Sequence, residues 1–477
     1  MSLFKNSRFK LVLTALMAAV LAGCASLSPD GNQAEINQLT RGKTSGVNAQ
    51  VAVADTAATR EAVDDLLAAP VSGESAVRIA LLNNPGLHAA MATLGISDAD
   101  RAGAGRLPNP HFSIGRFMKG DELEIERALR FNIIGLITLP WRSKWQGQQH
   151  ELAKLQAAQD VIRLAADTRK AWINAVAAQQ TAAYMGDAKL AAEASGELAR
   201  RLTRVGNWSK LAQAREQVFL ADAAAQLARA QQNAYVEREK LIRLMGLWGP
   251  QTQFKLSERM PDLPKAVTEM ENIEARALKE RLDVRSSVAE SAYVADSLGS
   301  VQASGFLNAL DVKYASNTSF DNAAGTQAHK SGWEIELPLP IFDWGSAGNA
   351  KAQAVYRQSV AKVRATAIRA RSEARESYYT YRTAYDLAQH YRDEIVPLRK
   401  FINDEILLRY NGMLDSVFDL LSDTRTNIAA VNAAIQAQRD FWLAEADLQT
   451  TLSGTSAGGL TVIRAGAGGG GGETKGH

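Results

Sequence analysis

Residues that could support catalysis or bind a metal are present, but they are scattered along the chain. The six histidines, at positions 88, 111, 150, 329, 390 and 477, have no spacing that places two of them on one helical face. The single cysteine cannot supply a thiolate cluster. Adjacent carboxylates such as Asp404 and Glu405 are typical of a solvated helix surface. No nucleophile elbow, phosphate loop or dinucleotide fingerprint lies between a strand and a helix. The sequence therefore predicts no catalytic site, no metal site and no cofactor.

The cysteine lies in a context typical of covalent lipid attachment. Three basic residues near the N-terminus precede an apolar stretch that ends at position 23 and is too short to span a bilayer comfortably. The stretch runs into LAGCAS, which looks like a bacterial lipobox with Cys24 as the lipidated residue. We expect a lipoprotein signal peptide over residues 1–23 and an acyl chain such as palmitate on Cys24. Ala25, rather than aspartate, favours the outer membrane. The alternative is an ordinary signal peptide with an incidental cysteine.

The charge balance argues against a nucleic-acid partner. The chain of 477 residues carries 54 basic and 51 acidic side chains, a formal net charge of +3. Removal of a signal peptide with its three basic residues would leave a nearly neutral protein. Without a basic face or a block of like charges, the sequence has no electrostatic footprint for DNA or RNA.

Three segments of the first half recur, in order, in the second half. ALLNNPGL from Ala80 resembles ALKERLDV from Ala277, Pro140 matches Pro340, and RVGNWSKLAQAREQ around Gly206 matches RYNGMLDSVFDLLSDTR around Gly412. Such ordered recurrence indicates an internal duplication. The domains we predict are a wrapping segment (24–75), a first repeat (76–248), a linker (249–265), a second repeat (266–453) and a glycine-rich disordered tail (454–477).

Each repeat has one pair of segments with the alternation of β-strands. In the run LEIERALRFNIIGLITL from Leu123, apolar residues alternate with charged ones, which is the period of a strand with one charged face. The pattern returns in LDVKYAS and WEIELPL. The sequence therefore predicts four strands per chain.

Long helices follow each strand pair. Apolar residues at spacings of three and four predict coiled-coil helices over 143–205 and from Gly206 to about Met245, then over 346–411, with a bend at Pro397, and over 413–452. A shorter helix is expected over 74–104, interrupted at Pro85. The core of a soluble bundle would look alike locally, but helices of more than sixty residues are uncommon there.

The number of strands bears on the oligomeric state. Strands of about ten residues suit a tilted crossing of an outer membrane. A bilayer cannot satisfy an open sheet edge, and four strands are too few to close. Two chains would give eight strands around a filled interior, and three would give twelve strands around a passage. The alternative is an isolated hairpin packed on a soluble domain.

In the order of these elements and motifs, the chain resembles the TolC family of outer-membrane efflux factors. The resemblance lies in the lipobox, Asn84–Pro85, RLPNP before the first strand, LPIFDWG from Leu339 and the two glycine turns. It implies a mostly α protein with long coiled-coil hairpins, whose homotrimer forms a 12-stranded membrane β-barrel and a periplasmic α-barrel. It implies a channel rather than an enzyme. The implied partners are outer-membrane lipid, a periplasmic adaptor and an inner-membrane pump, with the resistance-nodulation-division type among the candidates.

The resemblance also suggests which residues surround the periplasmic entrance. Asp415, Asp419 and Asp423, four residues apart, would stack into acidic rings in a trimer. Alternatively, Asp415 stabilises the first helical turn and all three aspartates simply face solvent. The resemblance places adaptor contact, or a latch, at the two helix tips: Arg204, Val205, Gly206, Arg409, Tyr410 and Gly412. The glycines are expected to adopt a left-handed backbone. Other functions compatible with the sequence are a lipid-anchored coiled-coil scaffold without a pore and a type I protein-secretion channel.

Overall fold

The computed structural model describes residues 27–44, 47, 51–52, 54–304, 311–336 and 346–458. Cys24, the entire LPIFDWG motif with Pro340, and most of the glycine-rich tail lie outside these residues. The helices, in chain order, are α1 (Gln33–Thr40), α2 (Ala57–Leu67), α3 (Gly73–Asn83), α4 (Pro85–Ala104), α5 (Ile133–Ile137), α6 (Leu139–Arg204), α7 (Lys210–Met245), α8 (Ile273–Glu280), α9 (Leu282–Ser304), α10 (Ser346–His390), α11 (Val396–Asn411) and α12 (Val417–Ser453). The strands are β1 (His111–Lys119), β2 (Glu122–Asn132), β3 (Asp311–Asp321) and β4 (Thr326–Glu336).

The fold class expected from the sequence is confirmed at the level of the single chain. Long helices dominate, and the four strands come in two pairs. The same order of elements, a helix pair, a β-hairpin and a long helical hairpin, occurs in each half of the chain. The break at Pro85 is also present, because α3 ends at Asn83 and α4 begins at the proline.

Two local features differ from the sequence-based picture. The predicted wrapping segment was assigned no helix, but it contains α1 and α2, and Thr56 caps α2 in a capping box with Thr59. Capping threonines and short amphipathic stretches are the signal that was overlooked. The apolar run after Leu123 was expected to remain strand-like to its end. It leaves the sheet at Asn132, whose side chain accepts the Gly135 N–H and starts α5.

The outgoing helix of the second half is divided. Its first part ends at His390, a five-residue π-helical segment (Tyr391–Ile395) follows, and α11 continues to Asn411. The Val396 N–H donates to the Tyr391 carbonyl, five residues back, and Pro397, which has no N–H, cannot continue this series. The regular helix is therefore interrupted by a wide turn just before the proline, and the bend itself stays a prediction.

The four strands form one antiparallel sheet in the order β1-β2-β3-β4, so β1 and β4 are its edges. Residues directly opposite one another share a face. The pairing places Leu129 opposite Phe112 on one side and Tyr314 on the other, and Tyr314 opposite Trp333. The Tyr314 and Trp333 rings lie 5.0 Å apart between centroids. This face, which we call the apolar face, carries the alternating apolar residues that the sequence predicted.

All seven carboxylates of the strands lie on the opposite, charged face. They are Glu122, Glu124, Glu126, Asp311, Asp321, Glu334 and Glu336. Lys313 pairs with Glu334 at 2.9 Å, and the Asn317 amide donates to Glu124 and Glu126 at 3.2 Å each. The charges on this face are therefore partly paired across the strands.

The chain divides into two compact units, and each takes segments from both sequence halves. The first contains the described residues of Met1–Asn32, Met91–Gln156 and Ser286–Thr366, including the sheet. The second contains Gln33–Ala90, Ala157–Arg285 and the described residues of Ala367–His477.

The second unit holds two apolar clusters. Trp172 of α6 is at the centre of one cluster, where its indole N–H donates to the Val71 carbonyl at 2.8 Å. The predicted linker packs there too, through the buried side chains of Phe254 and Leu256. Phe441 of α12 occupies the centre of the other cluster, against Tyr381 and other side chains of α10. The linker is thus part of the core rather than a loose connection.

The predicted helical seams differ in burial. In α6, Leu155, Ile162, Ile173 and Val176 are all buried. The apolar positions of α12 near the turn are half-buried in the single chain. Leu414 falls within the range predicted for this helix, 413–452, but lies before α12 and is 73 % exposed. The described tail begins packed, because Thr455 is buried.

Candidate functional site

Two tight turns, one in each helical hairpin of the second unit, form the predicted tip region. At the first turn α6 ends at Arg204, and Gly206 has φ of +80°. The N–H of Asn207 donates to the Leu202 carbonyl at 2.9 Å, which closes the helix end in a Schellman-type turn. Ser209 then caps α7. The expectation of a left-handed glycine is confirmed at this turn.

At the second turn the expectation was wrong. Gly412 has φ of −79°, and the left-handed residue is Met413, with φ of +61°. The Leu414 N–H donates to the Arg409 carbonyl at 2.8 Å, the same hydrogen bond as at the first turn. The structural equivalent of Gly206 is therefore Met413, one residue beyond the glycine that the sequence match selected. Its side chain is 94 % exposed, so backbone strain there is not offset by packing.

The three predicted aspartates occupy three different environments. Asp415 precedes α12, so it is not in the first helical turn, and it accepts a hydrogen bond from Arg409 at 2.8 Å. Asp419 is exposed and completes a capping box with Ser416, whose hydroxyl donates to it at 2.6 Å. These Ser416 hydroxyl and N–H hydrogen bonds hold the pKa of Asp419 below its ordinary value. Asp423 is buried, with the Arg399 guanidinium 3.9 Å away.

The three carboxylates thus do not form a ladder along one helical face. Asp415 was expected in the first turn because the helix was expected to begin at residue 413. The S-x-x-D pattern from Ser416 to Asp419 is a capping signal that would have given the correct start. Whether any of these aspartates lines a passage in an assembled protein is not tested by the single chain and stays a prediction.

The remaining predicted tip residues lie at the turns. Arg204 and Val205 are exposed, and Val205 retains 68 % of its surface. Tyr410 is half-buried. Arg409 was considered as a latch to a neighbouring helix, but within this chain it binds Asp415 of its own hairpin.

An ion pair with a buried carboxylate, which the sequence did not reveal, connects the two hairpins close to the turns. Glu216 of α7 is 2 % exposed, and its carboxylate accepts hydrogen bonds from the Ser195 hydroxyl and from Arg425 of α12, each at 2.6 Å. The Arg425 guanidinium also lies 4.3 Å from the centroid of the Phe219 ring. We call these four residues the tip cluster. Because a buried carboxylate is costly unless it is paired, this cluster favours the arrangement in which the hairpins lie together.

One sequence signal could have identified the tip cluster. Glu216 is seven residues before Ala223, which is also buried, so a carboxylate occupies a seam position of α7. Its partner could not be chosen, because the offset between two hairpins is not encoded in either helix alone. Farther from the turns, Arg169 and Lys170 of α6 form further pairs with α12, to Glu445 at 3.1 Å and to Asp447 at 3.0 Å.

In the first unit, a buried histidine lies near the start of the described chain. His150 is 3.3 Å from the Asn32 side-chain oxygen and 3.8 Å from Asp98. Burial lowers the pKa of His150, and the negative charge of Asp98 opposes this shift. Burial alone would raise the pKa of Asp98, but hydrogen bonds from the Ser28 N–H and from Arg101 bring it below its ordinary value.

Within the described ranges, no three histidine, cysteine, aspartate or glutamate side chains converge as metal ligands. Among the same residues, no helix combines the length and the apolar character needed to cross a bilayer.

Comparison with known proteins identifies the fold. No family model matches the sequence, and no curated protein matches it. Solved structures do match. The open-state Neisseria gonorrhoeae MtrE outer membrane channel aligns with a TM-score of 0.62 at 16 % identity, over 81 % of this chain and 90 % of that chain. The Campylobacter jejuni CmeC outer membrane channel gives 0.60 at 17 % identity, over 86 % and 91 %.

A third match is CusC, in crystal structures that address folding and transmembrane channel formation. It gives a TM-score of 0.62 at 16 % identity, over 80 % of this chain and 92 % of that chain. The chain therefore has the fold of the TolC-type outer-membrane channels, as the sequence resemblance predicted.

Proposed function

We propose that the chain is one protomer of a trimeric outer-membrane channel. In this proposal the channel passively conducts substrates that an inner-membrane pump and a periplasmic adaptor deliver. The observation that carries the proposal is a four-stranded sheet with two unpaired edges, one largely apolar face and one charged face. Unpaired edges are not tolerated in a bilayer, and four strands cannot close alone. Three copies would supply twelve strands with the charged face toward a wet interior.

The long helical hairpins are proposed to form the periplasmic part of the same conduit. The fold matches solved outer-membrane channels over four fifths or more of the chain. A conduit of this kind requires a passage and an entrance, not a reactive group, which agrees with the absence of a catalytic motif in the sequence. The proposal therefore does not include an enzymatic activity.

The tip region is the proposed entrance. The tip cluster supports a closed arrangement, because separating the hairpins would expose or unpair the Glu216 carboxylate. Asp419 is the proposed gate residue, since its carboxylate is exposed at the first turn of α12. Asp423 would join it only if opening freed its buried carboxylate.

The adaptor is proposed to bind the exposed residues of the turns. Val205 and Leu414 are 68 % and 73 % exposed, and Met413 is almost fully exposed. Apolar side chains held on tight turns offer anchors for a partner at low entropic cost. Cys24 is the proposed lipid attachment site, which would tether the mature N-terminus to the outer membrane.

Electrical recording from purified protein in planar bilayers tests the channel. Reproducible single-channel conductance is expected, and its absence in well-folded trimers would favour a scaffold without a pore. Sizing in detergent should give three protomers, whereas a folded monomer would contradict the closed barrel. Mass spectrometry of the mature protein should show acylated Cys24, and Cys24→Ser should remove that mass.

The gate has a matched control in its own capping box. Asp419→Ala, alone or with Asp423→Ala, should raise conductance or weaken block by multivalent cations, because negative charge is removed from the entrance. Ser416→Ala breaks the same capping box but keeps the Asp419 charge. If Ser416→Ala changes block as much as Asp419→Ala does, the effect comes from the helix end and the gate assignment is wrong.

A further inference from the structure

The apolar face of the sheet carries an unexpected basic band. Arg116 and Arg127 both project from this face, since Arg116 lies opposite Ile125 and Arg127 is two residues farther along the same strand. Diagonal neighbours of this kind are within reach of one another's long side chains. Both arginines are exposed. They are the only formally charged side chains that the register places on this face.

The carboxylates of the sheet are therefore on the opposite face from Arg116 and Arg127. All seven carboxylates lie on the charged face, where lysine and asparagine side chains bind several of them. On the apolar face, none of the described strand residues offers a carboxylate to either arginine. A guanidinium without an anionic partner in a largely apolar setting is expensive, so this face requires an anion from outside the chain.

Hydroxyl and imidazole side chains flank the two arginines. Arg127 lies opposite Ser316, and the next residue across the sheet is Ser331. One row nearer the hairpin turns, Thr318 and His329 are opposite one another, with 3.4 Å between the threonine oxygen and the ring nitrogen Nδ1. The complete set, which we call the basic band, is Arg116, Arg127, Ser316, Ser331, Thr318 and His329.

Apolar residues border the basic band on both sides. Toward the hairpin turns the next row contains Met118, Leu123 and Phe320. Away from the turns, the next row contains the Tyr314–Trp333 pair. An aromatic row such as the Tyr314–Trp333 pair is typical of the boundary between hydrocarbon and headgroups in outer-membrane barrels. An anion that reaches the band between these rows must itself be part of the membrane.

We propose that the basic band binds the phosphate groups of an anionic glycolipid in the outer leaflet. This proposal depends on the trimeric membrane barrel proposed above. Arginine presents paired N–H donors that match phosphate oxygens, and the neighbouring hydroxyls can donate as well. In a trimer the band would recur three times and form a ring around the barrel. The ring would fix the depth of the barrel by its headgroup contacts rather than by hydrophobic thickness alone.

The test uses the full-length protein in phosphatidylcholine nanodiscs containing either bis-phosphorylated lipid A or the same lipid after removal of its phosphates. Native mass spectrometry counts the glycolipid molecules retained on the protein. Retention should be about tenfold stronger for the phosphorylated form, as expected for losing charge-assisted hydrogen bonds. Equal retention of the two forms in the wild-type protein would overturn the proposal, without any need for a variant.

Variants then locate the site. Arg116→Gln combined with Arg127→Gln should abolish the preference for the phosphorylated lipid. Arg130→Gln, which removes the same charge from the charged face of β2, should leave the preference intact. Unchanged preference in the double variant, or loss of it in Arg130→Gln, would place the lipid elsewhere. Inorganic phosphate at equal concentration should not displace the lipid. If it does, the band binds soluble anions rather than a lipid.

The same experiments distinguish failure of the channel proposal from failure of the lipid-binding proposal. Wild-type conductance is recorded from the same preparation, so a silent protein that still selects phosphorylated lipid would refute the channel alone. A conducting protein without lipid selectivity would refute only the basic band.

Discussion

Removing the arginine of the tip cluster should loosen the two hairpins at their tips while leaving the body of the helices closed. In Arg425→Met, the Glu216 carboxylate, 2 % exposed, would keep only the Ser195 hydroxyl as a donor. Breaking a fully buried pair costs about 3–5 kcal/mol. Arg425 is 37 % exposed, so solvent compensates part of this loss, and we expect about 2–3 kcal/mol. Methionine keeps contact with the Phe219 ring.

Hydrogen exchange is the appropriate assay, because the loss should be local. Amides around the two turns should exchange about 30- to 150-fold faster, which is the same free energy expressed as a rate ratio. Amides of α6 near Arg169 should change little, since the pair with Glu445 is intact. Single-channel recordings should show longer open times.

A double-mutant cycle separates the ion pair from the side effects of each substitution. Glu216→Gln keeps a hydrogen-bonding group for Ser195 but removes the buried charge, so the double variant should be less damaged than the sum of the two single variants. The expected coupling is about 1–2 kcal/mol. Arg200→Met is the matched control, because Arg200 pairs with Glu197 on the exposed surface and should contribute at most about 1 kcal/mol. Additive effects, or an Arg425→Met phenotype no larger than the control, would refute the cluster as a closing device.

Three further predictions concern backbone strain and pH. Gly206→Ala should cost about 1 kcal/mol because φ is +80°, whereas Met413→Gly should be neutral or stabilising at the equivalent left-handed position; hydrogen exchange at each turn measures both. Gly246→Ala should lower the unfolding temperature by several degrees, because φ is +68° and a Cβ atom would lie 2.5 Å from a backbone carbonyl oxygen. The pKa of His150 is lowered below 6.5 by burial, so stability should be present above pH 6.5 and be lost as the pH falls through the lowered pKa. Unfolding curves of His150→Gln should lack that part of the pH dependence.

Much of the fold could be predicted from the sequence because its periodicities are long. The seam of α6 repeats over many turns, and the alternation from Leu123 identifies a strand with one charged face. The short helices before residue 73 were missed because each has fewer than four turns and no extended seam. In a long helix the periodic pattern remains visible even where single residues break it. A short helix has too few repeats for the pattern to stand out.

The candidate site was predicted less well, for two physical reasons. A left-handed turn needs a particular position in the hydrogen-bond pattern, and at the second turn Met413 occupies it although a glycine is adjacent. A single sequence also does not show which helices meet. Glu216 therefore looked like one of many surface carboxylates, and only the packing of α7 against α12 shows that Arg425 is its partner.

The π-helical segment before Pro397 has a consequence for how the second hairpin can deform. One additional residue within a turn rotates the downstream helix by about 100° relative to an uninterrupted one. The side that α11 presents to α12 is therefore offset by about 100° from the side that an uninterrupted continuation of α10 would present. Deleting one residue between 391 and 395 would restore regular phase and turn a different side of α11 toward α12. The side chains that α10 packs around Phe441 would keep their positions, so the change would fall on the stretch that leads to the second turn.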